Sequence, residues 1–262
     1  MNGLEKEEMK KYLGLLCIGT STAAMIAGSA AADYVVGDTI ALEFQGSNPR
    51  LEVFTSYVEG ADSDAANRGP GAYSLAGRLN WIDSDFITFC IQIGEDVEYG
   101  DNIEFTFETV ESTPDDPPYA GGMGEMRATM VRDLYSRWYN QVSEAGNDDA
   151  GRALSGAFQI MIWEITHESL TGSASGQPID QTISQLDIGL GAMQTNGVNA
   201  AAAGLFNDMK SSLGMGGWMD SYGDNLWGLS NPTYQDQILV VPGAAVGMAG
   251  LGFFGARRRR KR

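Results

Sequence analysis

Cysteine and histidine are nearly missing from this 262-residue chain, which has two of the first (Cys17 and Cys90) and one of the second (His167). That scarcity leaves no zinc-type ligand spacing, the glycines form no phosphate-cradling loop, and neither a metal nor a cofactor is expected. No apolar run reaches the roughly twenty residues of a permanent membrane span. Basic side chains are scarce through the middle of the chain: residues 33–256 hold 31 acidic and 8 basic residues, a net charge of −23. Such a surface repels nucleic acid and anionic lipid, so no nucleic-acid partner is expected. The chain is still 43% hydrophobic and 10% aromatic, which argues against disorder.

The two ends differ from the middle. Lys10 and Lys11 precede an apolar run from Tyr12 to Ile26, and Ala30-Ala31-Ala32 supplies small residues for cleavage. Residues 1–32 therefore read as an export signal, with the mature chain starting near Asp33. Glu5, Glu7 and Glu8 interrupt the basic start, and initiation at Met9 would remove them. Cys17 follows Leu16 where a lipoprotein signal needs a small residue. It leaves with the signal, so Cys90 alone remains and no internal disulfide can form.

Residues 240–262 have three parts. Val240-Val241-Pro242-Gly243 ends a strand, since proline removes a ladder donor. Ala244 to Ala256 is small and apolar but too short to span a bilayer permanently. Arg257, Arg258, Arg259, Arg260, Lys261 and Arg262 form a basic run that stays cytoplasmic by the positive-inside rule. This tail resembles the PEP-CTERM sorting signal of Gram-negative bacteria, which an exosortase processes. Val241 and Pro242 match the start of the family's Val-Pro-Glu-Pro motif, whereas Gly243 and Ala244 depart from it. The resemblance implies transient inner-membrane anchoring on the way to the cell envelope or extracellular surface.

Between the ends, residues 33–239 read as one body. Its first half alternates like strands: Thr39–Phe44, Leu51–Val58, Tyr73–Trp81, Phe86–Ile93 and Ile103–Val110. A turn is expected at Gly46-Ser47-Asn48-Pro49, and a polar loop at 61–71, whose acidic stretch from Asp62 to Asn67 lacks EF-hand spacing. The period then changes. Met126, Met130, Leu134, Trp138 and Val142 recur about every four residues, so 124–145 reads as an amphipathic helix. Residues 153–167 read as a helix buried on most sides, and 200–213 as a third. Residues 214–232 look loop-like, and Gln237–Val241 reads as a strand returning to the first sheet.

Cys90 falls inside the strand Phe86-Ile87-Thr88-Phe89-Cys90-Ile91-Gln92, on the face of Thr88 and Gln92. A small buried residue is the ordinary fate of such a cysteine. Later, Ala157-Phe158-Gln159-Ile160-Met161-Ile162-Trp163 sets one glutamine in an apolar helix. An unpartnered buried amide costs about 1–3 kcal/mol, so Gln159 needs a partner or a role.

These two segments resemble the bacterial thioester domains, which pair an aromatic-Cys strand with a later apolar-Gln-x-x-apolar-Trp helix. Met161 stands where that family usually has alanine. Gly37-Asp38, Ala76-Gly77-Arg78-Leu79-Asn80-Trp81 and Tyr234-Gln235-Asp236-Gln237 extend the likeness over residues 37–241. It implies an α+β fold, a β-sandwich or barrel of antiparallel strands with an inserted helical section. It also implies an internal thioester between Cys90 and Gln159, shielded by Phe89, Phe158 and Trp163, that captures amines on a partner surface protein or matrix component. Two other readings stay open. One is a non-reactive matrix or structural protein of the same fold, in which Glu164 and Glu168 form a solvated i, i+4 pair. The other is a cysteine hydrolase with Cys90 as nucleophile and His167 as base.

Overall fold

The structure is a computed structural model that describes residues 34–56, 72–82, 84, 86–114, 121–168 and 179–241. The expected export signal at 1–32, the expected loop at 61–71, Pro242 and the basic residues from Arg257 onward lie outside the described residues.

The body is α+β, with one antiparallel sheet of seven strands and four α-helices. The strands are β1 (Thr39–Ser56), β2 (Ala72–Trp81), β3 (Ile87–Cys90), β4 (Asn102–Glu108), β5 (Gln194–Asn196), β6 (Leu226–Ser230) and β7 (Gln237–Val240). The helices are α1 (Gly124–Ser143), α2 (Asp149–His167), α3 (Ile179–Gln185) and α4 (Ala200–Ser212). Around the sheet β1 pairs with β2, β2 with β3, β3 with β7, β7 with β6, β6 with β4, and β4 again with β1. The pairings thus close on themselves, with β5 added to the C-terminal end of β1.

β1 corrects the expected turn at Gly46-Ser47-Asn48-Pro49. The chain does not reverse there but runs on as a single strand of 18 residues. Its pairing with β2 slips between Phe44 and Gly46 and again between Ser47 and Arg50. The inward face moves with the slip: Leu42 and Phe44 are buried before it, and Ser47, Val53 and Thr55 after it. An extra residue in one strand of a pair has this effect, because side chains alternate with period two. Gly46 takes a φ of +131°, open to glycine but strained for other residues. The second irregularity brings β2 so close that a Cβ on Gly77 would collide with the Pro49 carbonyl oxygen and the Arg50 backbone.

α2 begins at Asp149, four residues before the expected Ala153, because Asp148 caps it by accepting the Gly151 N–H at 2.8 Å. From Ala153 to His167 every residue but Leu154 is buried, as the apolar run predicts. The helix packs against β1, β2 and β3 and also against α1 and α4. The region expected to be a loop, 214–232, contains β6. Its start is fixed by Asp133 of α1, whose carboxylate accepts the Gly214 and Met219 N–H groups and pairs with Arg137. α3 and β5 are further elements that the periodicity does not announce.

Val240, the first residue of the expected sorting tail, is the last of β7. Val241 follows it outside the strand but is 6% exposed and donates its N–H to the Asn225 carbonyl at 2.8 Å, so the body's packing reaches this residue. Among the described residues, no helix is long and apolar enough to cross a membrane.

Candidate functional site

β3 is a short strand buried on both faces: Thr88, Phe89, Cys90, Ile91 and Gln92 are each at most 2% exposed. Hydrogen-bonded strands flank it, with Leu79 and Asn80 of β2 on one edge and Gln237, Ile238 and Leu239 of β7 on the other. Polar side chains in so dry a place need partners. Thr88 accepts from the Trp81 indole at 3.0 Å and donates to Gln237 Oε1 at 3.1 Å. The Gln92 side chain accepts the Asp236 N–H at 2.6 Å, and its carbonyl accepts from Gln235 Nε2. The Tyr234–Gln237 segment of the sequence is thus the polar brace of the cysteine strand.

Gln159 projects from the middle of α2 and is fully buried. Its Nε2 donates to the Cys90 carbonyl at 2.7 Å, and its Oε1 accepts the Cys90 N–H at 3.1 Å. The amide therefore grips the cysteine's backbone as a neighbouring strand would. Two of the sequence-expected residues, separated by 69 positions, meet here. Phe89 and Phe158, also expected, stack edge-on with ring centroids 4.8 Å apart and flank the pair. Trp163 lies one helical turn after Gln159, so the two share a face of α2.

The thiol is neutral in this setting. Burial pushes Cys90 up to about 12, and the indole N–H of Trp163 pulls in the opposite direction. Among the described residues that N–H makes no hydrogen bond of ordinary geometry, and neither does the Tyr135 hydroxyl. Tyr135, from α1, is wholly buried, packs edge-on against Phe89 and Phe158, and interacts electrostatically with Cys90. Two unspent donors thus border the Cys90–Gln159 pair. The four-residue spacing used to read α1 passes over Tyr135. A strict 3.6-residue turn rotates it into the core and leaves Trp138 half-buried.

His167 falls elsewhere. It is eight residues beyond Gln159, about 12 Å along the helix axis, and its Nδ1 shares the Thr166 hydroxyl at 2.8 Å and the Trp163 carbonyl at 3.2 Å. Burial lowers its imidazole to about 3.

Glu164 and Glu168, expected as a solvated pair, are both buried. Glu168 accepts the N–H groups of Ala192 and Met193 at 2.9 and 3.2 Å, and Gly191 leaves the space its carboxylate fills. Glu164 accepts the Asp187 N–H at 3.2 Å. Burial, and then the adjacent Glu168, raise the Glu164 carboxyl well above the carboxylate range. Among the described residues no group of histidine, cysteine and carboxylate side chains could hold a metal ion.

No protein-family model, curated protein or solved structure matches the chain.

Proposed function

We propose that this is an exported surface protein whose body closes an internal thioester between Cys90 and Gln159 and uses it to capture an amine on a partner. The observation that carries the reading is the two-bond grip of the Gln159 amide on Cys90 inside a dry, aromatic-walled site. Proximity of this kind substitutes for the entropy that two free groups would lose, worth several kcal/mol.

In the first step the Cys90 sulfur attacks the Gln159 carboxamide carbon. The S–C bond forms, the C–N bond breaks, and the thiol proton leaves with the amide nitrogen as ammonia. Charge gathers on the amide oxygen in between, and the unspent Trp163 N–H and Tyr135 O–H are the donors at hand to stabilise it. In the second step a primary amine of the partner, such as a lysine side chain, attacks the thioester carbonyl. A C–N bond forms, the C–S bond breaks, and the sulfur regains a proton. The product is an amide through Gln159, made once per molecule.

The termini supply the rest: the signal at 1–32 for export, and the tail with Val241, Pro242 and the arginines from Arg257 to Arg260 for exosortase-type sorting to the envelope. One observation favours a second reading, a non-reactive structural protein of the same fold. Both polar groups of the Gln159 amide are already satisfied, so the residue serves equally as a staple between α2 and β3.

Intact-mass spectrometry of the purified protein separates the two. The thioester reading expects a mass one ammonia lower than the sequence and covalent addition of methylamine at Gln159. A mass equal to the unmodified chain, with Cys90 titrating as a thiol after unfolding, leaves the structural reading.

A further inference from the structure

A groove of the body lies away from the cysteine, where the irregular middle of β1 meets β2 and the start of α2. Its volume is about 950 Å³, at the upper end of small-molecule sites. Its lining is unusual for this protein. Residues 33–256 contain only eight basic side chains, and three of them, Arg50, Arg78 and Arg152, line this one groove. Among the described residues a single carboxylate, Glu52, shares it, and that carboxylate accepts the Tyr73 hydroxyl at 2.9 Å.

The arginines are held in place more than neutralised. Arg78 donates to the Asn48 and Ser143 carbonyls at 3.1 and 2.7 Å, and Arg50 donates to the Ser47 carbonyl at 3.1 Å. Among the described residues only Arg152 has an acidic partner, the fully exposed Asp149.

We infer that this groove binds an acidic oligosaccharide, its carboxylate or sulfate groups on Arg50, Arg78 and Arg152. Planar guanidinium groups match such anions in a two-point fashion. Gln45, Asn48 and Asn147 add amides suited to sugar hydroxyls. Among the described residues the lining has no aromatic ring on which a neutral sugar would stack, and one aliphatic side chain, Leu51, which gives little for a peptide to bury. The inference is independent of the thioester.

Calorimetric titration of the full chain tests it with four probes: an oligogalacturonate, a sulfated chondroitin oligosaccharide, a neutral dextran oligomer and a poly-glutamate peptide. Comparison with R50E/R152E in the full chain subtracts any binding by the basic tail, which both proteins share. The expected result is binding of one or both acidic sugars, weakened at least about tenfold by the double charge reversal, with no dextran binding. Which sugar binds separates carboxylate from sulfate as the recognised group. R50Q/R152Q removes the charges without reversing them and serves if the first variant misfolds. Equal affinity of parent and charge variants, or groove-dependent binding of poly-glutamate as tight as that of the sugars, overturns the inference.

Discussion

At the scale of single residues, Gln159 and Cys90 contribute in different ways, and substitution should separate them. The amide of Gln159 satisfies the backbone of Cys90, not its sulfur. Q159A therefore strands a buried N–H and a buried carbonyl and should cost about 2–4 kcal/mol in urea unfolding. C90A keeps both bonds and should cost about 1 kcal/mol or less by the same measurement. W163F removes the indole N–H while keeping an apolar ring. Its stability should stay within about 1–2 kcal/mol of the parent, while the one-ammonia mass loss should develop more slowly after refolding under reducing conditions. An unchanged rate would show that the indole serves only as a wall. The meeting of Cys90 and Gln159 was legible in the sequence through the motif pair, and so was the aromatic cover. Tyr135 was not, because an apolar-looking aromatic in an amphipathic helix carries no local mark of what its hydroxyl faces.

Elements were legible where their period was simple. β2, β4 and α1 follow from alternation or helical recurrence, and the burial of Ile103, Phe105 and Phe107 is what alternation predicts. β1 was misread because its inward face changes phase at Gly46, and a phase change beside an Asn-Pro pair looks like a reversal of the chain. β6 is five residues long and includes Gly228, so it offers too little pattern to stand out from its surroundings. The close approach of β1 and β2 gives a test. G77A drives a methyl group into the Pro49 carbonyl and the Arg50 backbone, and should destabilise the protein by about 1–3 kcal/mol in thermal or urea unfolding. Because Arg50 and Arg78 flank that contact, the same change should disturb the groove before it disturbs the cysteine site.

For the molecule as a whole, acidity and burial combine into a dependence on pH. The Glu164 carboxyl is raised well above the usual carboxylate range in the folded state, first by burial and then by Glu168; the Asp187 N–H bond and Lys210 oppose this, and the Asp187 carboxylate adds a smaller upward push. In the unfolded chain it ionises in the ordinary range near 4.5. Below that pH both states hold the proton and no penalty arises. As pH rises through it, only the unfolded state ionises, so stability is lost until the raised folded value is reached. E164Q should flatten this slope and melt higher than the parent at pH 7, while matching it more closely at pH 4. A parent melting temperature that climbs from pH 4 to 7, unaltered by E164Q, would contradict the assignment.

The ring of strand pairings closes through β7, which lies between β3 and β6 although it is the last strand in the chain. Cys90 pairs with Gln237, 147 residues later, so a growing chain carries its cysteine strand with one edge open until β7 has been made. Non-local pairings of this length form slowly. During that interval the sulfur has neither its dry walls nor its full brace, and the thioester proposed above, if made then, would be exposed to water. On that proposal β7 sets the timing: the bond closes safely only once this strand is in place.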